Sequence, residues 1–408
     1  AEVYGHEYAI HFPFHSWSAG RNKKLSSIHD RIIEKGGQMG AYNGWERANW
    51  FARSGDDTTE CATQTWRREG AWFQRVKEEC LAVHSKVGVL DLPGFSRYHL
   101  SGDGVEDWLL NKIAGTLPKK NRMNLAYFSD DRGRVLTEMS IMHLDNDSFL
   151  LITAGAAQWH DLEVLRSGIN KNSKVSIIDE TKDWSCLMVA GPESRTMLSR
   201  ISNADLELPW LSLQEAQISE KNVILARVSY AGELGWEIHA QREDIPEIYE
   251  EIITQGATPF GMFALDSLRI EKAYKAWKGD LSTDYTLLES GLDRFIRFDK
   301  PQNFPGKQAL LKEKQRGAKK KFVSLTLNGN DCDAPYMSTI WYDGKIVGEV
   351  TSGSYGHRVG SSIALGMIRA ELAIPNQEVM IDIFGQSFKA IVHGPGPLWD
   401  SENRSLRS

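Results

Sequence analysis

The chain has 408 residues, of which 41% are hydrophobic and 10% aromatic, with 13 Trp and a formal net charge of −6. That length allows two or three domains with a large core, and the composition excludes a disordered chain. The small charge leaves no footprint for nucleic acid or an acidic membrane surface, and no apolar run nears the roughly 20 residues of a membrane span.

In chain order, residues 1–60 are rich in aromatics and loop signals, including His11, Phe14, Asn43-Gly44, Trp45 and Trp50. Leu25, Ile28 and Ile32 recur at helical spacing, which predicts a helix over 24–35 that Gly36-Gly37 stops. A stronger helix is expected over 68–84, with Trp72, Val76, Cys80 and Val83 on one stripe. Short strands follow at 89–92 and 98–100, then a helix at 104–111. Residues 134–144 and 148–153 read as a hairpin across Asn146, followed by a helix at 156–167. Residues 227–239 read as strand, tight turn and strand. Helices are expected at 246–253, with Pro246 suited to a first helical position, and at 262–275. The charged run 312–321 reads as a linker. Beyond it, strands are expected at 322–327, 339–342, 345–350, 363–368, 378–383 and 386–392, a spacing that suggests a small β-barrel or sandwich. The alternation of elements argues for an α+β fold. The expected domains are 1–60, 61–317 and 318–408.

Several chemistries fall away. No GxGxxG or P-loop occurs, and Gly353-Ser-Tyr-Gly356 is not GxSxG and reads as a turn. His11 and His15 are four apart, but Pro13 forbids the helix that would align them, so no metal site is expected. Cys61, Cys80, Cys186 and Cys332 form no CxxC pair and read as buried free thiols of a reducing compartment. Glu2, His6 and Glu7 precede any apolar stretch, unlike a signal peptide. A cytoplasmic location is expected, or the mitochondrial matrix for a processed eukaryotic chain.

The positive candidates are few. The strand–turn–strand segment would hold Tyr230, Glu233 and Glu237 together, and a carboxylate beside an aromatic ring suits a flat, amide-bearing heterocycle. On spacing alone an ordinary cross-strand pair explains Tyr230 and Glu233 as well. Glu138 shares a strand face with Leu136 and Ser140, as a partnered buried carboxylate or a solvent-facing one. Arg269, three residues after Asp266, is either a surface pair or a fork for a ligand carboxylate.

Taken together, these motifs resemble the folate-binding aminomethyltransferase family, typified by the T-protein of the glycine cleavage system. The resemblance is closest to the C-terminal half of dimethylglycine and sarcosine dehydrogenases. It rests on Ser229-Tyr-Ala-Gly-Glu-Leu-Gly-Trp-Glu237, Gly191-Pro-Glu-Ser-Arg195, Asp266-Ser-Leu-Arg-Ile-Glu271, Thr351-Ser-Gly-Ser-Tyr-Gly-His357, Pro397-Leu-Trp-Asp400 and Asn43-Gly-Trp-Glu-Arg47. The resemblance implies a three-lobed fold with a C-terminal β-barrel. It implies tetrahydrofolate as cofactor and transfer of a one-carbon unit from a small methylated amine or sulfonium donor. By motif match Glu138 is the catalytic carboxylate and Tyr230 orients the site. Glu233 and Glu237 meet the pterin, and Arg269 meets the glutamyl tail. The chain departs from the T-protein where Thr137-Glu138 replaces paired aspartates. It also departs from the dehydrogenases by lacking a flavin fingerprint, so no flavin is expected on it. The alternatives are a folate subunit that captures formaldehyde beside a flavoprotein partner, and a non-catalytic folate-binding module.

Overall fold

The computed structural model describes residues 4–5, 18–58, 67–145, 147–169, 173–329 and 331–408. The readings placed on Phe14, His11, His15, Cys61 and Asn146 lie outside the described residues.

The chain forms three lobes. The first is a six-stranded sheet in the order Leu213–Ile218, Lys221–Ala226, Gly235–Gln241, Trp184–Ala190, Gly88–Asp91, Thr258–Pro259. Along Gly235–Gln241, Trp236, Ile238 and Ala240 point to one core, which the helix Ile245–Thr254 covers with Ile245, Ile248 and Ile252. Glu237 and His239 point to the opposite face, as strand alternation requires. On that face Cys186 and Met188 join the core under the helices Trp72–Ser85 and Met262–Glu271. The second lobe is a five-stranded sheet in the order Arg122–Ser129, Val135–Asp145, Ser148–Thr153, Ser96–Ser101, Ser176–Asp179. The two sheets meet where Met142, Leu150 and Ile152 pack on Leu213 and Ala226. The third lobe is a closed barrel in the order Lys320–Leu327, Ser361–Arg369, Lys345–Gly356, Thr339–Tyr342, Glu378–Ile383, Gln386–Gly394. Closure leaves it no open sheet edge. Among the described residues no helix is long and apolar enough to cross a membrane.

The described part of the first 60 residues joins the first lobe. Ile28, Ile32 and Ala48 enter the same core as Val89 and Trp236. Asn43 and Gly44, at φ +55° and +83°, close a hairpin of Gly37–Tyr42 and Trp45–Phe51, as an Asn-Gly turn favours.

Four expectations change. The run 312–321 is not a linker: its first half finishes the helix Lys307–Arg316, whose Leu310 is fully buried, and Lys320 already opens the barrel. Gly317, at φ +85°, ends that helix. Residues 353–356 are not a turn but the end of the long strand Lys345–Gly356. The first strand of the 227–239 segment stops at Ala226, so residues 227–234 are a loop between paired strands. The helix expected to reach Lys275 stops at Glu271, because Ala273 turns left-handed at φ +52°. Tyr274 and Lys275 thereby leave the helix.

Helix Trp72–Ser85 buries Trp72, Val76, Cys80 and Val83, the expected stripe, together with Glu79. The Glu79 carboxylate accepts the backbone N–H of Phe51 and of Gly261, each at 2.8 Å. It thus ties the hairpin and the helix Met262–Glu271 to one helix face. Glu79→Ala orphans both donors, so unfolding free energy should fall by roughly 2–4 kcal/mol, read by chemical denaturation.

Candidate functional site

The left-handed turn at Ala273 aims two side chains at the place where the lobes converge. The Tyr274 ring stacks on Tyr230, with centroids 5.8 Å apart and planes at 22°. The Tyr230 hydroxyl donates to the Lys275 carbonyl at 2.9 Å, which locks its ring to the turn. The Lys275 ammonium lies 4.1 Å from the centroid of Phe322, from the first barrel strand. Burial brings its pKa down to about 8, against the pull of Asp280 and Glu138.

Glu138 comes from the second lobe. It sits directly across from Tyr127 in the antiparallel pair, so both side chains share one face. Tyr127 is buried while Glu138 is half-exposed. Burial raises the Glu138 pKa, while the Tyr127 hydroxyl hydrogen bond and the Lys275 charge hold it down. Arg294, exposed on the turn Asp293–Phe295, adds positive potential at Tyr127, Tyr274 and Lys275. Glu138, Tyr127, Tyr230, Tyr274, Lys275 and Arg294 therefore form one electrostatic neighbourhood of aromatic walls, one carboxylate and two cations.

Glu237 lies on the inner face of the six-stranded sheet, with its side chain 22% exposed. His239 Nε2 is 3.3 Å from Glu237 Oε2. Among the described residues no hydrogen bond reaches Oε1, so the carboxylate keeps an acceptor for a ligand.

Glu233 and Arg269, expected at the ligand, are buried and paired within the protein. Glu233 is 2% exposed, and its Oε1 is taken by Arg358 Nη1 at 2.8 Å and His84 Nδ1 at 2.9 Å. Its partners are thus His84 and Arg358, whereas Glu237 meets His239. Arg269 is 6% exposed. Its Nε meets Asp266 at 3.1 Å, Nη1 meets Asp280 at 2.8 Å, and Nη2 donates to Ser352 Oγ at 2.9 Å. With every nitrogen engaged, it has no fork left for a glutamyl tail, and it is not a surface pair either.

Cys186, Glu237 and His239 place donor atoms within 4.8 Å of one another. Arg97 Nη1, fully buried and 2.9 Å from His239 Nδ1, fills the adjoining space with positive charge, which opposes a divalent ion. Surface cavities of about 510 and 380 Å³ lie beside Asn303–Gln308 and His160, and no expected site residue lines either.

Tyr127, Tyr274, Lys275 and Arg294 escaped the sequence reading. The strand of Tyr127 went unrecognised, so the cross-strand partner of Glu138 had no register. Lys275 looked like a continuing helix.

The model of the GCVT N-terminal domain matches residues 28–300, and that of the glycine cleavage T-protein C-terminal barrel domain matches 320–400. The chain belongs to the glycine cleavage T-protein family, whose enzymes transfer one-carbon units with tetrahydrofolate. It is 35% identical over 400 residues to the mitochondrial dimethylglycine dehydrogenase of Rattus norvegicus, matching 96% of this chain and 46% of that protein. The chain thus spans about half the length of this relative. It is 28% identical over 365 residues to a probable aminomethyltransferase of Thermococcus gammatolerans, covering 81% and 90% of the two. The glycine cleavage system aminomethyltransferase T of Bartonella henselae shares the fold, with a TM-score of 0.78, 20% identity, and 91% and 97% of the chains covered.

Lys275 yields a pH prediction. Its pKa in the folded protein lies below the free value, so unfolding takes up a proton between about pH 8 and 10.5. The folded state therefore carries a penalty that is complete below pH 8 and fades as pH rises towards 10.5. Lys275→Met should stabilise the protein at pH 7 by about 1–3 kcal/mol, with the gain vanishing near pH 10, read by denaturation across pH.

Proposed function

We propose that this chain transfers a one-carbon unit to tetrahydrofolate from a small methylated amine or sulfonium donor. The observation that carries the reading is the Glu138–Tyr127 pair facing the stacked Tyr230 and Tyr274 rings, with Lys275 between the lobes. The side chains suit the cofactor. Glu237 offers an acceptor to an amide edge, and the tyrosines offer flat faces to a ring.

Tetrahydrofolate, when bound, supplies N5 as the nucleophile that receives the carbon. The Glu138 carboxylate is placed to stabilise positive charge on a donor carbon, and does so strongly because its surroundings are poor in water. The Tyr127 hydroxyl orients that carboxylate and favours its ionised form. Lys275, with a pKa near working pH, can hold or release a proton beside it. The tyrosine stack positions the partners, where much of the rate enhancement arises.

A second reading has its own support. The chain spans about half of the dehydrogenase relative, which favours a folate unit working beside a flavoprotein and capturing formaldehyde as 5,10-methylene-tetrahydrofolate. Incubation with tetrahydrofolate and either formaldehyde or a panel of methylated donors separates the two, with 5-methyl- and 5,10-methylene-tetrahydrofolate measured separately. Turnover of a methylated donor by this chain alone supports the first reading. Capture of formaldehyde alone, accelerated over the uncatalysed condensation, supports the second. Folate binding with no turnover overturns both and leaves a binding module.

Glu138→Gln should leave folate affinity nearly unchanged and cut turnover by about 10²–10⁴-fold, because it removes an interaction used mainly in the transition state. Glu237→Gln should weaken folate binding about ten- to hundredfold by calorimetry, the worth of a charge-assisted hydrogen bond.

A further inference from the structure

The inner face of the six-stranded sheet carries a buried polar chain that the chemistry above does not use. Arg97, from the second lobe, is 1% exposed, and so is His239. A guanidinium in so dry a place ordinarily finds a carboxylate. Arg97 makes no carboxylate ion pair among the described residues. Its Nη1 meets the imidazole of His239 at 2.9 Å instead.

That contact fixes a tautomer. Arginine is only a donor, so His239 Nδ1 must be the acceptor. Burial lowers the His239 pKa, which keeps the ring neutral. The one ring proton therefore sits on Nε2, the nitrogen 3.3 Å from Glu237 Oε2. The contact is bent rather than straight, because Nε2 makes no aligned hydrogen bond. The proton-bearing nitrogen still lies beside one carboxylate oxygen, to which it is attracted, and the other oxygen is left for a ligand.

We propose that Arg97 and His239 are positioning residues for Glu237: the arginine sets the imidazole tautomer, and the imidazole N–H orients the carboxylate towards the pterin. The inference rests on the reading of Glu237 as a folate contact. It assigns a purpose to a buried cation that packing alone leaves costly. The groups facing His239 are Arg97 from strand Ser96–Ser101, Cys186 from the neighbouring strand and Glu237 from its own strand. Glu180 and Asp91 act at longer range on Arg97 and Cys186.

The test uses the full chain and folinate, a stable reduced folate, as probe. Wild type should bind folinate measurably by calorimetry at pH 7. His239→Gln keeps an acceptor for Arg97 and a donor for Glu237, so affinity should stay within about threefold. His239→Leu should weaken binding about tenfold or more, and the His239→Leu, Glu237→Gln double variant should bind no worse than the weaker single. Arg97→Met leaves Nδ1 without its donor and frees the tautomer, so folinate affinity should fall about threefold or more, and the Arg97→Met, Glu237→Gln double variant should bind no worse than the weaker single. This coupling to Glu237 would not arise from a purely structural role, and it keeps the idea testable if His239→Leu fails to fold. Additive losses in either double variant overturn the proposal. Unchanged binding by Glu237→Gln overturns the positioning role while folate binding stands. No folinate binding by wild type overturns the functional reading and this inference with it.

Discussion

Arg358 is the tie on which the rest of the architecture hangs. It leaves the barrel just after strand Lys345–Gly356, and its side chain is 1% exposed. Nε pairs with Glu271 at the end of helix Met262–Glu271, and Nη1 pairs with Glu233 in the loop 227–234 at 2.8 Å. Nη2 donates to the carbonyls of Leu268 at 2.8 Å and Ala231 at 3.3 Å. The guanidinium lies 3.7 Å from the ring centroid of Trp399, whose backbone N–H in turn donates to the Glu271 carbonyl at 3.1 Å. One cation thus joins loop, helix, barrel and C-terminal segment. Replacing such a network with apolar groups can cost little, but removing one partner strands a buried charge. The geometry is therefore all-or-none, which suits a junction that must hold three lobes in one register.

The lock explains how the carboxylates divide. Glu233 and Glu271 are buried and paired with Arg358, while Glu138 and Glu237 are half-buried and neither meets an arginine or lysine in an ion pair among the described residues. Arg269 follows the first pattern, since Asp280 and Asp266 consume it. Pairing, not residue type, divides these carboxylates. A candidate site residue and a paired carboxylate lie close along the chain: Tyr230 and Glu233 are three residues apart, yet one ring faces the converging lobes and one carboxylate faces the barrel. Gly232, at φ +74° and pressed against the Lys272 side chain, makes that reversal, and a Cβ there would collide with it.

What was legible in the sequence follows from this division. The stripe Trp72, Val76, Cys80 and Val83 announced its helix, because a period of 3.6 is local information. The strands of the barrel were readable for the same reason. A motif marks Glu233 and Arg269 as constrained without saying what constrains them. Their partners are remote: Arg358 is 125 positions from Glu233, and Ser352 is 83 from Arg269. Lys275 was hidden by a helical pattern that a single left-handed residue, Ala273, cuts short. Tyr127 was hidden because cross-strand pairing needs a register that no local pattern supplies.

The site itself is defined by opposed shifts. Burial pushes the Glu138 carboxyl up from its usual range and pulls the Lys275 ammonium down to about 8. Both shifts have one cause, the loss of water around a charge, and each group partly restrains the other. In water the proton affinities of a carboxylate and an amine differ by roughly six pKa units. Here the gap narrows from both ends, so a proton can pass between the groups, or between either and a ligand, at lower cost. A reaction that must place positive charge on carbon and then dispose of a proton gains directly from it. Burial raises Glu233 as well, but Arg358 and His84 pair with it, whereas Glu138 and Lys275 have no such ion pair among the described residues, which is the physical reason to look for the chemistry there.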